Sequence, residues 1–168
     1  GVAGKISRLK NELNDVDSYS RNANLNDPTE VKFLEIFRAY TRALQAANAF
    51  DFDDLIAQTV YLFRAFPHVA DHYRKQFRHI LVDEYQDTNH AQYVLIHELT
   101  RETADGMPGA SLTVVGDSDQ SIYAFRGADM RNIAEFERDF KGAHVVMLEQ
   151  NYRSTQNILS AANAVISN

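Results

Sequence analysis

Cysteine is absent from the 168 residues, which excludes a disulfide framework and any thiolate-ligated metal centre. No run is long and apolar enough to cross a bilayer, although 45% of the residues are hydrophobic. The N-terminus also lacks the charged-then-apolar layout of a secretory signal. The expectation is a soluble, cytoplasmic chain with no membrane partner. Basic residues are the minority charge: 17 Lys and Arg stand against 23 Asp and Glu, a formal net charge of −6. A domain that only coats nucleic acid carries a basic footprint, so this balance argues against coating as the whole task and leaves room for a local groove. Two basic runs exist, Lys5, Arg8 and Lys10, then Arg74, Lys75, Arg78 and His79. Residue type alone reads both as solvated surface charge. Repeats and low-complexity tracts are missing too. The length suits one ordinary domain, or a domain plus a small appendage, with a real core.

What is present begins with helical texture. Ile6, Leu9 and Leu13 form a short apolar stripe, followed by a polar stretch rich in Asn, Asp and Ser. Asp27-Pro28-Thr29-Glu30 predicts a helix start, with Asp27 as N-cap, Pro28 at the first helical position and Glu30 closing a capping box. Phe33, Ile36, Phe37, Tyr40 and Leu44 then recur at helical spacing. Asp51 caps a further helix, whose expected buried face is Phe52, Leu55, Ile56, Thr59, Phe63 and Phe66. Pro67 breaks it, and a shorter helix carries Val69, Tyr73 and Phe77. His68 and His72 stand at i, i+4, but with no third ligand in view they read as exposed.

Near residue 80 the period changes. Ile80-Leu81-Val82 ends in Asp83-Glu84, and Leu112-Thr113-Val114-Val115 ends in Gly116-Asp117, with Ala91, Val94, Leu95 and Leu99 at helical spacing between them. Strand, helix, strand with apolar strands predicts a parallel βαβ unit. A helix from Met130 to Phe140, a third strand at Val145-Val146-Met147-Leu148, and a helix opened by Ser154 that carries Ile158, Leu159, Ala162 and Val165 complete the expectation. The segment Thr103 to Ala110 reads as a plain surface connection.

Acids at the carboxyl ends of parallel strands stand where open sheets bind ligands. Asp83 is placed to hold a hard cation such as Mg²⁺, and Glu84 beside it to orient or deprotonate a water. On that pattern alone, a solvated strand end or helix cap remains an equal alternative.

Longer runs add context. Asp83-Glu84-Tyr85-Gln86-Asp87-Thr88-Asn89 resembles the second signature motif of superfamily 1 helicases of the UvrD/PcrA/Rep group. The run from Val115-Gly116-Asp117-Ser118-Asp119-Gln120 through Ser121-Ile122-Tyr123-Ala124-Phe125-Arg126-Gly127-Ala128 looks like their third, and Leu148-Glu149-Gln150-Asn151-Tyr152-Arg153-Ser154-Thr155 like their fourth. Phe52-Asp53-Asp54-Leu55 sits where the family has a similar run. Order and spacing match over essentially the whole chain. The resemblance implies ATP and Mg²⁺ as cofactors, with Asp83 on the metal, Glu84 activating water and Gln120 sensing the γ-phosphate. It also implies Tyr152 on adenine and Arg153 as an arginine finger. Tyr123 and Phe125 would stack on single-stranded DNA, where many relatives carry Trp at the Phe125 position; the alternative is that both rings are core. Arg126 would serve either DNA phosphate or the motif's own network.

A phosphate loop of the form G-x-x-x-x-G-K-[ST] is missing: Gly4-Lys5 mimics its tail, but Ile6 follows where a hydroxyl is required. The expected fold is α/β, a partial RecA-like (P-loop NTPase) parallel sheet with helices on both faces, preceded by a helical segment. By resemblance residues 1–48 correspond to subdomain 1B, 49–149 to the latter part of 1A and 150–168 to the start of 2A. The implied activity is that of a motor fragment, inactive alone, from an ATP-dependent 3′–5′ helicase or translocase. Its substrates would be single-stranded DNA and single/double-strand junctions, with repair or replication proteins as further partners. Alternatives are the motor part of a helicase–nuclease subunit and a non-catalytic module that kept the fold.

Overall fold

The computed structural model describes residues 1–121, 136 and 138–166. Five helices come first: α1 (Val2–Asn11), α2 (Val16–Asn22), α3 (Pro28–Ala46), α4 (Phe52–Ala65) and α5 (Pro67–Gln76). Then follow β1 (His79–Val82), α6 (His90–Thr100), β2 (Ser111–Val114) and α7 (Gln156–Ile166), with 3₁₀ turns at Tyr85–Asp87 and Ser118–Gln120.

Short polar side chains set the helix starts. Asp51 and Asp54 form a reciprocal capping box on α4, and Asn89 and Gln92 do the same on α6. Asp27 caps α3 by accepting from the Thr29 N–H, with Pro28 next to it as expected. The box with Glu30 does not form, because the Glu30 carboxylate accepts instead from the Asn24 N–H at 2.7 Å. The polar stretch after α1 hides a helix: Asp15 accepts from the Ser18 N–H and starts α2. At the far end α7 begins at Gln156, two residues beyond the expected opener Ser154.

The core has two parts. Ile6, Leu9, Phe33 and Phe37 bury one another, with Val16 and Tyr19 packed alongside. Tyr19 meets Phe33 edge-on at 5.2 Å, the arrangement ring quadrupoles favour. The second part is built from Ala57, Val60 and Phe63 of α4, Ala70 of α5, and Ala91 and Val94 of α6.

The buried face of α4 differs from the expected one. Only Phe63 of the expected set is buried, whereas Phe52 is 90% exposed and Leu55 and Phe66 also face outward. A polar anchor sets the rotation: the Lys10 ammonium lies 2.7 Å from Asp51 and 2.8 Å from Asp54, and this draws Asp54 inward. Ala57 and Val60, three and six residues on, follow it into the core. Lys10 is therefore not a solvated surface charge. Nor is Arg74, which is buried and donates to the Glu98 backbone oxygen, the Glu98 carboxylate and Asp71. Burial costs these cations their hydration, and the paired carboxylates restore it.

Strands β1 and β2 pair in parallel, with His79 opposite Ser111 and Val82 opposite Val114. The helical-then-βαβ expectation holds here. The third strand does not form: Val145 to Leu148 has no ladder and lies exposed. A strand exists only through its neighbour's hydrogen bonds, and β1 and β2 are the only strands in the sheet among the described residues. The helix expected over 130–140 falls mostly outside the described residues; Phe136, Arg138 and Asp139 are helical. His68 and His72 are exposed, their rings edge-on to Phe66 and Tyr73.

The segment from Thr103 to Ala110 is more than a plain connection, since both of those residues are buried. The Thr103 hydroxyl donates to Asp105, and the Met107 N–H donates back to it at 3.0 Å. Lys75 at 2.7 Å and the Thr103 hydroxyl hold the Asp105 carboxyl down at about 2. Gly109 closes the segment where a Cβ would stand 1.8 Å from the Thr100 backbone oxygen. Gly109→Ala is therefore expected to destabilise the fold by about 1–3 kcal/mol, as overpacking against backbone does. The urea midpoint should fall with an unchanged m-value; an unaltered midpoint would show that the backbone yields freely.

Candidate nucleotide site

Parallel pairing brings the carboxyl ends of both strands to the same edge. The ladder runs one step past the strands: the Val115 N–H donates to Val82 O at 2.8 Å, and the Tyr85 N–H donates to Val115 O at 2.9 Å. Between those two bonds lie Asp83 and Glu84. Glu84 has φ 49° and ψ 46°, the left-handed region that costs a residue with a Cβ about 1–2 kcal/mol. This reversal sends the chain into the 3₁₀ turn, where Tyr85 and Gln86 are almost fully buried. Tyr85 lies edge-on to Phe136 at 5.5 Å. Burial and the nearby Asp139 carboxylate push its phenol up to about 12. Residues locked beneath the turn sustain its strained backbone.

Gln86 joins the two strand ends. Its Oε1 accepts from the Asp117 N–H at 3.1 Å, and its Nε2 donates to Glu84 Oε2 at 2.6 Å. Only one amide orientation satisfies both, because a backbone N–H needs an acceptor and a carboxylate needs a donor. Gly116 leaves room for it: a Cβ there would lie 2.7 Å from Gln86 Oε1. Asp117 continues the chain of bonds, accepting from the Asp119 N–H at 3.0 Å and from Gln120 Nε2 at 2.7 Å. Glu84 and Gln120 are thus linked through Gln86 and Asp117. In the sequence Gln86 stands out only as one member of the run from Asp83 to Asn89. The signal that could have found it is a large polar side chain at a buried strand end, facing a glycine on the neighbouring strand.

Asp83 is exposed, and its Oδ1 accepts from the Glu84 N–H at 2.9 Å. No group of three His, Asp or Glu converges into a metal cage among the described residues. An exposed carboxylate at a strand end, with few protein ligands around it, fits Mg²⁺ taken up with waters and phosphate oxygens better than a closed all-protein site. Three buried side-chain oxygens lack a hydrogen-bond partner among the described residues: Tyr85 Oη, Asp87 Oδ1 and Ser121 Oγ. All three fall in the second and third runs.

Within the family-like run on α4, Phe52 and Leu55 are exposed and the two acids tie helices together. Asp54 takes the Lys10 charge, and Asp53 accepts from Asn11 Nδ2 at 3.0 Å. Asn11 Oδ1 in turn accepts from Asn89 Nδ2 at 2.9 Å, so the first turn of α6 is tied to α1 and α4.

Tyr152 and Arg153 are not brought to this cluster by any hydrogen bond or ion pair among the described residues. Both are exposed, at a turn where Asn151 Oδ1 accepts from the Arg153 N–H at 2.9 Å and the Ser154 N–H at 2.8 Å. Tyr123, Phe125 and Arg126 lie outside the described residues.

Residues 2–141 match the UvrD/REP helicase N-terminal domain, and the chain belongs to that family. It is 57% identical to the ATP-dependent DNA helicase UvrD1 of Mycobacterium tuberculosis strain H37Rv, over 98% of this chain and 22% of that protein. The ATP-dependent DNA helicase PcrA of Bacillus subtilis is 46% identical over 99% of this chain and 22% of its own length. That of Leuconostoc citreum is 47% identical over 98% and 21%. The chain therefore spans about a fifth of the length of these relatives. Among the described residues no helix is long and apolar enough to cross a membrane.

Proposed function

We propose that the full-length protein is a cytoplasmic ATP-dependent DNA helicase that moves 3′ to 5′ on single-stranded DNA, acting at single/double-strand junctions in repair or replication. One observation carries this reading. Glu84, beside Asp83 at the end of β1, is bonded through Gln86 and Asp117 to Gln120 beyond β2, which gathers an acid, a base and an amide at one sheet edge. Asp83 would hold Mg²⁺ there, and the bound ion would supply charge neutralisation on the phosphates. Glu84 orients a water and takes its proton, and Gln120 senses the γ-phosphate. Tyr152 stacks on adenine and Arg153 meets the developing phosphate charge. Tyr123 and Phe125 offer base-stacking platforms, worth about 1–3 kcal/mol per base without reading sequence, and Arg126 pairs with DNA phosphate. In this assignment residues 1–48 belong to the helical 1B subdomain, 49–149 to RecA-like subdomain 1A and 150–168 to 2A.

The test uses the full-length protein. DNA-stimulated ATP hydrolysis and unwinding of a duplex with a 3′ tail, but not a 5′ tail, are the expected results. Hydrolysis that no DNA stimulates would overturn the proposal. The 168-residue chain alone is expected to show no turnover above background, because it carries no phosphate loop to hold the β- and γ-phosphates. Sustained hydrolysis by the chain after repeated purification would contradict that.

A further inference from the structure

The geometry points to Gln86 as a positioning residue for hydrolysis: its buried amide locks Glu84 and the Asp117 turn into one register, so that the base and Gln120 move together. This rests on the assignment of Glu84 as the base. Gln86 is 1% exposed, beyond the reach of a nucleotide, so it acts through its neighbours. At one end the amide donates to Glu84 Oε2 at 2.6 Å, a charge-assisted bond that fixes the carboxylate of a residue whose own backbone is strained. At the other end it accepts from Asp117 N–H, and the Asp117 carboxylate takes the Gln120 amide at 2.7 Å. The strand ends already share two backbone bonds, Val115 N–H to Val82 O and Tyr85 N–H to Val115 O. What those bonds leave unset is the direction of the Glu84 side chain, and the Gln86 amide supplies it. Glycine at 116 brings β2's end close enough for one amide to span both, since a Cβ would displace Oε1.

The experiment is a double-mutant cycle in the full-length protein, read by DNA-stimulated steady-state hydrolysis, single-turnover hydrolysis with enzyme in excess, and affinity for a fluorescent ATP analogue. Gln86→Met keeps the length of the side chain and removes both bonds. It should lower kcat on the order of 10–100-fold, the cost of a misaligned catalytic group, while KM and analogue affinity stay within about threefold. Introduced into Glu84→Gln, it should cost much less than in the parent, because the base it positions is already gone and only the link to the Asp117 turn remains to be lost. Gln86→Glu, equal in length and still an acceptor for the Asp117 N–H, gives the same reading if the thioether variant does not fold. A kcat within twofold of the parent, or an equal further loss in the Glu84→Gln background, would overturn the positioning role while the base assignment stands. Near-normal hydrolysis by Glu84→Gln itself would instead overturn the base assignment and this role with it.

Discussion

Glu84→Gln in the full-length protein is expected to cut DNA-stimulated ATP hydrolysis by about 10²–10⁴-fold, the usual worth of a general base, while nucleotide affinity stays near that of the parent. The change is conservative in the way the site requires. A Gln at 84 still offers an oxygen to Gln86 Nε2, so the bridge to Asp117 can persist and the left-handed turn keeps its support. Only the capacity to take a proton is lost. Asp83→Asn should behave differently, weakening Mg²⁺-dependent nucleotide binding as well as hydrolysis, because it removes charge at the ion. Isothermal titration with a slowly hydrolysed ATP analogue, with and without Mg²⁺, separates the two. If Glu84→Gln hydrolysed ATP at near the parental rate, another group would have to be the base.

Lys10→Met is the largest stability effect expected, a loss of about 3–5 kcal/mol, the range for removing one partner of a buried ion pair. Methionine fills the aliphatic volume, so the loss is electrostatic. It strands Asp54, which is buried, and Asp51, which also accepts from the Tyr40 hydroxyl at 2.8 Å. Burial pulls the Lys10 pKa down, but the hydrogen bonds it donates to Asp51 and Asp54 and their charges outweigh it, and the net shift is upward. Burial likewise pushes Asp51 up, and the Lys10 bond, the Asp54 N–H and Tyr40 outweigh it, so the net shift is below the ordinary 3.8. The signs follow from linkage. The lowered Asp51 contributes stability that is present above pH 3.8 and disappears as pH falls through its depressed value. The raised Lys10 contributes stability present below 10.5 and lost as pH rises past its folded value. Urea unfolding should therefore show the widest gap between parent and Lys10→Met near neutrality, narrowing toward both extremes. A gap under about 1 kcal/mol at neutral pH would mean the triad is solvated in practice.

The same ion triad explains where the sequence misled. Apolar spacing on α4 pointed to Phe52, Leu55 and Phe66 as core, and periodicity has no means of seeing that a lysine 44 residues away from Asp54 sets the helix's rotation. Helix starts were legible at Asp27 and Asp51, because capping and period are local. Glu30 was not, since its carboxylate had a choice of backbone N–H groups and took that of Asn24. Apolar runs at Ile80 and Leu112 became strands because each had the other to pair with; Val145 to Leu148, equally apolar, had no such neighbour. In the site, Asp83, Glu84 and Asp117 were legible as acids at strand ends, and Gln120 only through the resemblance of its run. The amide that joins them was not, because its role depends on a register that only pairing creates.

Among the described residues the sheet is a ribbon of two four-residue strands, each with an outer row of N–H and C=O groups that no further strand takes. Leu81 of β1 is 78% exposed, and the apolar run Val145 to Leu148 is exposed as well. Handled by itself, such a segment is a template for its own copies. Its solubility then depends on concentration and on mutual repulsion from a net charge of −6, a defence that added salt weakens. Spectroscopy and unfolding work on the isolated chain therefore belong at low concentration and low ionic strength.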